Sequence, residues 1–238
     1  MIPAALASSI VRPFYNRGAS GPAPITFTPL GKNVQSGTPL MSLTINGISV
    51  SAGETLFAGI VYTPTINVSM VVDVGGAGLA VSTLQLNFGT ARRLVLCYIT
   101  AAQAPYSGNL VFDFSSGIGF PTEASAVVSK VSQLKLAAPI DKSKTASGAI
   151  SGTQDSGLTA ATTQATEFIY GLIGTMGVGG DTVGNWQAGM AAGQSIGGPL
   201  TAIKEGWQAV SSIGTYRAEV TGATPRVWGA RCDTFKGV

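Results

Sequence analysis

A two-residue alternation of apolar and polar side chains recurs along this chain and points to strands. Met41, Leu43 and Ile45 alternate with Ser42, Thr44 and Asn46, Leu84, Leu86 and Phe88 alternate with Gln85 and Asn87, and Leu110, Phe112 and Phe114 flank Val111 and Asp113. Successive side chains of an extended chain point to opposite faces, so this spacing predicts half-buried antiparallel strands. Residues 94–99 are apolar on both faces, and 168–173 are similar apart from Gly171, as expected of central strands. Further strands are predicted over 56–62, 66–72, 124–131, 207–211, 217–220 and 227–235. The 124–131 run also fits helical spacing through Ala124, Val127, Val128, Val131 and Leu134, and its Val and Ser content decides for strand. Asn46-Gly47 between Ile45 and Ile48 reads as a two-residue hairpin turn, because both residues accept positive φ.

Many short strands separated by Gly-rich turns, with no alternation of strand and long helix, predict an all-β fold: a single two-sheet antiparallel β-sandwich domain, jelly-roll-like, over residues 25–238. Residues 1–24 precede it as an extended arm, because Pro3, Pro13, Pro22 and Pro24 prevent regular helix or central strand. Arg12, Phe14, Tyr15 and Arg17 in this arm suit docking onto its own domain or a neighbouring subunit. Residues 174–199 contain nine glycines and one charge. They are expected to form an irregular rim loop with Met176, Trp186 and Met190 as contact candidates, packing over the sandwich end being the stronger reading.

The composition turns the search away from catalysis. Among 238 residues there is no histidine, and only 11% are charged, against about 25% in an average protein. Gly193-Gln194-Ser195-Ile196-Gly197 matches the nucleophile-elbow pattern, but that chemistry needs a strand turning sharply into a helix and a base for the serine proton. Ser195 is therefore rejected as a nucleophile. Gly75-Gly76-Ala77-Gly78 lacks the third glycine of a dinucleotide loop and reads as a turn. Zinc is disfavoured, with no histidine and two isolated cysteines, and no cofactor is expected. Calcium stays open at Asp181 with Thr182, or at Asp141 with nearby hydroxyls. Asp113 and Glu167 are the acids considered for glycoside hydrolysis, and neither stands out as half of a pair. Cys97 and Cys232 read as buried free thiols. With 14 basic and 11 acidic residues the net charge is +3 and dispersed, which gives no support to nucleic-acid binding. No signal peptide is read at the N-terminus, and Pro64 and Asn67 interrupt the apolar run 55–72 that could suggest a membrane span.

The order of segments resembles a known family. The run 55–61, then 92–99, a hairpin through Pro105-Tyr106-Ser107-Gly108-Asn109 into 110–114, then 124–131 followed by Ala138-Pro139-Ile140-Asp141, and later 148–163, 167–173 and Val227-Trp228-Gly229-Ala230 are similar to a β-sandwich module. Such modules occur in structural proteins of tailed bacteriophages and in Ser/Thr/Gly-rich bacterial surface proteins. The resemblance covers about residues 38–236 and is one of pattern, with no catalytic or binding residues to carry over.

It implies a non-enzymatic virion structural protein, a capsid decoration or cement subunit acting as a homo-oligomer beside partners such as the major capsid protein. A tail or fibre component is the alternative position. A lectin-like module is the competing reading, with Trp186, Trp207 or Tyr216 stacking on a surface glycan.

Overall fold

A computed structural model describes residues 23–63, 71–74, 81–100, 105–114, 121–177 and 184–238. Arg12, Phe14, Tyr15 and Arg17, the turn at residues 75–78 and the pair Asp181-Thr182 lie outside the described residues. The first half contributes β1 (Phe27–Ser36), β2 (Ser42–Val50), β3 (Glu54–Tyr62), β4 (Val71–Val74), β5 (Ser82–Phe88), β6 (Arg92–Ile99), β7 (Tyr106–Asp113) and β8 (Glu123–Ser132). The second contributes β9 (Ile140–Ser151), β10 (Gln154–Asp155), β11 (Thr166–Thr175), β12 (Asn185–Trp186), β13 (Ala191–Gly197), β14 (Ala202–Ser211), β15 (Glu219–Thr221) and β16 (Arg226–Lys236). No described helix is long and apolar enough to cross a membrane.

These strands form two five-stranded sheets, β1-β8-β3-β6-β5 and β13-β14-β11-β16-β9, and two three-stranded sheets, β2-β7-β4 and β10-β15-β12, with every pairing antiparallel. The expected antiparallel β-sandwich forms, and it forms twice. The five-stranded sheets stack face to face as inner layers, and each three-stranded sheet covers the outer face of one of them.

The side-chain alternation shows why. In β3, Leu56, Ala58, Ile60 and Tyr62 point into a core shared with Leu43, Ile45 and Ile48 of β2 and Leu110 and Phe112 of β7. Phe57 and Val61 point the other way, into a core shared with Phe168, Tyr170 and Leu172 of β11 and Phe235 of β16. Both faces of such a strand must be apolar, and a continuous apolar run results. Phe57 sits at the centre of the middle core, its ring 5.0 Å from Tyr170 and 4.7 Å edge-on from Phe235. Burying one such ring contributes about 2 kcal/mol. At Gly59 the inner sheets approach closely: a Cβ there would lie 2.7 Å from Leu172.

Two local expectations are corrected. Asn46-Gly47 is not a hairpin turn: β2 runs through it, with a register shift against β7 between Ile45 and Ile48. Gly47 has φ +71° and donates its N–H to Asn109 Oδ1 at 3.4 Å, so its freedom serves a bulge. Residues 174–199 are not irregular throughout, since β11 extends to Thr175 and β13 forms an edge of the inner C-terminal sheet. β13 has no apolar period because its glycines make close approaches instead.

Candidate functional site

The chemistry-bearing side chains collect mainly at the boundary between the two inner sheets. Glu123 opens β8, fully buried, against the turn between β13 and β14. Its Oε1 accepts the amides of Leu200 at 2.9 Å and Thr201 at 2.6 Å and the Thr201 hydroxyl at 2.8 Å, while Oε2 accepts Ser36 Oγ at 2.9 Å. A Cβ at Gly198 would lie 2.8 Å from this carboxyl carbon, so glycine admits the carboxylate to the turn.

Glu205 on β14 forms the second bridge. Its oxygens accept Ser129 Oγ from the facing sheet at 2.7 Å, the Gln194 amide at 2.9 Å and the Tyr170 hydroxyl at 2.6 Å. Burial raises its pKa above the ordinary carboxylate range, against the lowering effect of these hydrogen bonds. Arg231 and Asp233 on β16 form the third. Arg231 Nε lies 2.6 Å from Asp233 Oδ2, its Nη1 donates to Leu84 O across the boundary at 2.7 Å, and Ser143 Oγ donates to Asp233 Oδ1 at 2.6 Å. A buried charge is tolerable only with such partners.

A different arrangement occurs at the start of β11. Glu167 is fully buried, and neither carboxyl oxygen has a hydrogen-bond donor. Its cross-strand partner on β16 is Lys236. Burial, followed by the neighbouring Asp141 carboxylate, pushes its pKa up to about 7. Burial raises the pKa of Asp141 too, but hydrogen bonds from Thr163 and the charges of Lys142 and Lys236 outweigh it and hold the group below its usual range. The Thr163 amide and hydroxyl both donate to Asp141, the latter at 2.6 Å, and Lys142 Nζ stands 3.6 Å away. Below about pH 7 Glu167 carries a proton beside the Asp141 carboxylate, and the bonds from Thr163 to Asp141 tie the segment before β11 to β9. The structure thus brings together two acids that the sequence treated separately. No group of three or more Cys, Asp or Glu among the described residues is arranged to hold a metal ion.

The residues singled out by sequence have definite places. Ser195 lies within β13, opposite Lys204, and its carbonyl accepts Lys32 Nζ at 2.9 Å. The motif is a strand and not a strand-to-helix elbow. Its glycines serve packing, because a Cβ at Gly193 would lie 2.5 Å from Glu205 Cγ and one at Gly197 2.8 Å from Ala202 Cβ. Asp113 is on β7 in an outer sheet, well apart in the fold from Glu167 on β11.

Met190 is buried, and Trp186 packs with it between the C-terminal sheets. The indole covers Gly206 and Gly171, which are cross-strand partners: a Cβ at Gly206 would lie 2.6 Å from the ring and one at Gly171 3.2 Å. Met176 is half-buried near the turn at Gly89. Trp207 stacks on Phe27 at 5.1 Å, and the Tyr216 hydroxyl donates to Ser212 O at 2.6 Å. Cys97 and Cys232 are free and buried, as expected, and burial raises the Cys97 thiol to about 12.

Sequence reasoning missed Glu123 and Glu205. A glutamate inside or heading an apolar strand, combined with a glycine at a distant turn, was the available signal, and it names no partner by itself. No family model, curated protein or solved structure matches the chain.

Proposed function

We propose that the chain is a non-enzymatic structural subunit of an assembly: a bacteriophage virion protein of the capsid decoration or cement kind. It would form a homo-oligomer and hold neighbours such as the major capsid protein through its arm and strand surfaces. The observation that supports this reading is the use of the buried charges. Glu123, Glu205, Arg231 and Asp233 join two sheets into one four-layered slab, so the polar chemistry of the interior serves rigidity. Exposed apolar side chains remain on the outside, among them Ile150 at 73%, Ile213 at 61% and Leu158 at 49%. Isolated exposed apolar residues are ordinary on a protein surface, and in a neutral small-residue surface they suit contact with other protein. The glycan reading gains nothing from the aromatics, since Trp186, Trp207 and Tyr216 are engaged internally.

Light scattering of the full chain and of a variant lacking residues 1–24 tests the assembly reading. A closed symmetric oligomer that shrinks on truncation is the expected result. A monomer for both, at tens of micromolar, overturns it. Mass spectrometry of purified particles from the source culture tests the virion reading: stoichiometric recovery supports it and absence from particles overturns it.

A further inference from the structure

The edges of the inner C-terminal sheet are unlike each other. On one side β13 lies beside β1 of the facing sheet, tied by the bond from Lys32 to Ser195. On the other side β9 ends the sheet, twelve residues long, and among the described residues no backbone group pairs with its outer edge. An exposed edge of this length is a template for another strand unless it is guarded. Lys142 and Lys144 are the available guards, but the Lys144 stem leans over Gly157, with Cε 3.3 Å from a Cβ position there. Beyond Lys144 the strand reads Thr145-Ala146-Ser147-Gly148-Ala149-Ile150, small and uncharged up to an isoleucine that is 73% exposed.

We propose that β9 is an acceptor edge and that its occupant is residues 4–11 of this chain, supplied by a neighbouring copy; the choice of donor copy rests on the assembly reading above. Residues 4–11, Ala-Ala-Leu-Ala-Ser-Ser-Ile-Val, are eight residues with no proline, glycine or charge, between Pro3 and Arg12-Pro13. The described chain begins at the matching end of the sheet. Ala23, Pro24 and Ile25 line a groove of about 240 Å3 with Thr166, Val210 and Val238. Ile25 lies against Gly237, and the next residue back, Lys236, donates its amide to Pro139 O at 2.7 Å, just before β9 starts.

Two strand spacings, about 10 Å, separate β11 from β9. Residues 12–22 span up to about 36 Å when extended, more than the width of their own sheet, so residues 4–11 can extend beyond it toward an adjacent copy. A segment running toward this end of the sheet meets β9, which starts there, in antiparallel sense. Every strand pair among the described residues has that sense. Main-chain bonds along β9 give the affinity, and the exposed Ser143, Thr145, Ser147 and Ala149 on one face leave room for Leu6 and Ile10, which share a face in an extended segment, while Trp228 covers Gly148 on the other.

Hydrogen exchange on the full chain and on a variant lacking residues 1–11 tests this. Amides in 140–151 are expected to exchange at least tenfold faster in the truncated protein, and a full-length variant carrying Leu6→Pro and Ser8→Pro is expected to behave the same way. Pairing Ser8→Cys with Ser143→Cys, Thr145→Cys, Ser147→Cys or Ala149→Cys in turn is expected to give a disulfide-linked dimer at one register; the native thiols are buried. Unchanged exchange in 140–151 with no cross-link, in a protein that still assembles, overturns the inference and leaves the assembly reading standing. Protection that depends on 4–11 in a monomer keeps the strand pairing, within one chain, and overturns the assembly reading.

Discussion

Thr201 gives Glu123 two hydrogen bonds, from its amide at 2.6 Å and its hydroxyl at 2.8 Å, across the boundary between the two inner sheets. The residues are 78 positions apart in sequence, so the contact exists only when both halves are folded and stacked. Removing the carboxylate with Glu123→Ala leaves the buried amide of Thr201 and the part-buried amide of Leu200 without an acceptor. An uncompensated buried group of this kind costs about 3 kcal/mol or more. Glu123→Gln keeps an acceptor oxygen and is expected to cost about 1 kcal/mol, through loss of the charge-assisted bonds. Urea denaturation of the two variants reads the difference, and equal losses would refute the bonding role.

Glu167 gives the protein a pH dependence of definite sign. Its folded pKa, about 7, lies above the ordinary value of 4.5, so the folded state holds the proton more tightly than the unfolded chain. The resulting stabilisation is complete below about pH 4.5 and is lost as pH rises through about 7. Glu167→Gln keeps a neutral group at every pH. The stability of the native protein minus that of the variant is therefore expected to fall between pH 5 and 8, and a flat difference over that range would refute the raised pKa.

Gly206 is the floor on which the Trp186 indole lies, with the ring 2.6 Å from the position of an added Cβ. Gly206→Ala displaces the ring and opens the seam between the C-terminal sheets, at an expected cost of about 2 kcal/mol for the strained packing. A red shift of tryptophan emission should accompany it. Gly222, whose added Cβ would meet nothing within 4 Å, has φ +70°, so Gly222→Ala is expected to destabilise through backbone strain with no change in emission.

Cys97 and Cys232 are expected to resist thiol reagents in the native protein. Burial, only partly offset for Cys97 by a hydrogen bond with Thr83, raises that thiol to about 12, and burial raises the Cys232 thiol likewise. Modification by a disulfide reagent should proceed at the rate of unfolding, accelerating with urea. A fast native-state reaction of either thiol would show that its sheet opens locally.

Much of the fold could be read because the strands with the simplest surroundings have the plainest patterns. β6 and β11 lie between two covered faces and read as apolar runs, that of β11 interrupted at Gly171, and β5 and β7 have one covered face and alternate. β8 also fits helical spacing in sequence, and it pairs as a strand with both β1 and β3. The readings that failed fell where glycine served a purpose its neighbours do not reveal. Gly47 permits a bulge, and Gly193 makes room for Glu205, a group brought to it by strand pairing. The acid pair was hidden for a related reason, since Asp141 and Glu167 sit on strands that meet only through β16.

The sequence by itself determined that the chain is built of antiparallel strands with buried free thiols, because side-chain alternation and apolar runs are local properties of an extended backbone. Tertiary structure alone decided that two sandwiches stack into four layers and that Glu123, Glu205 and Arg231 join them, because a buried charge is stable only beside partners that strand pairing and sheet stacking deliver from distant parts of the chain.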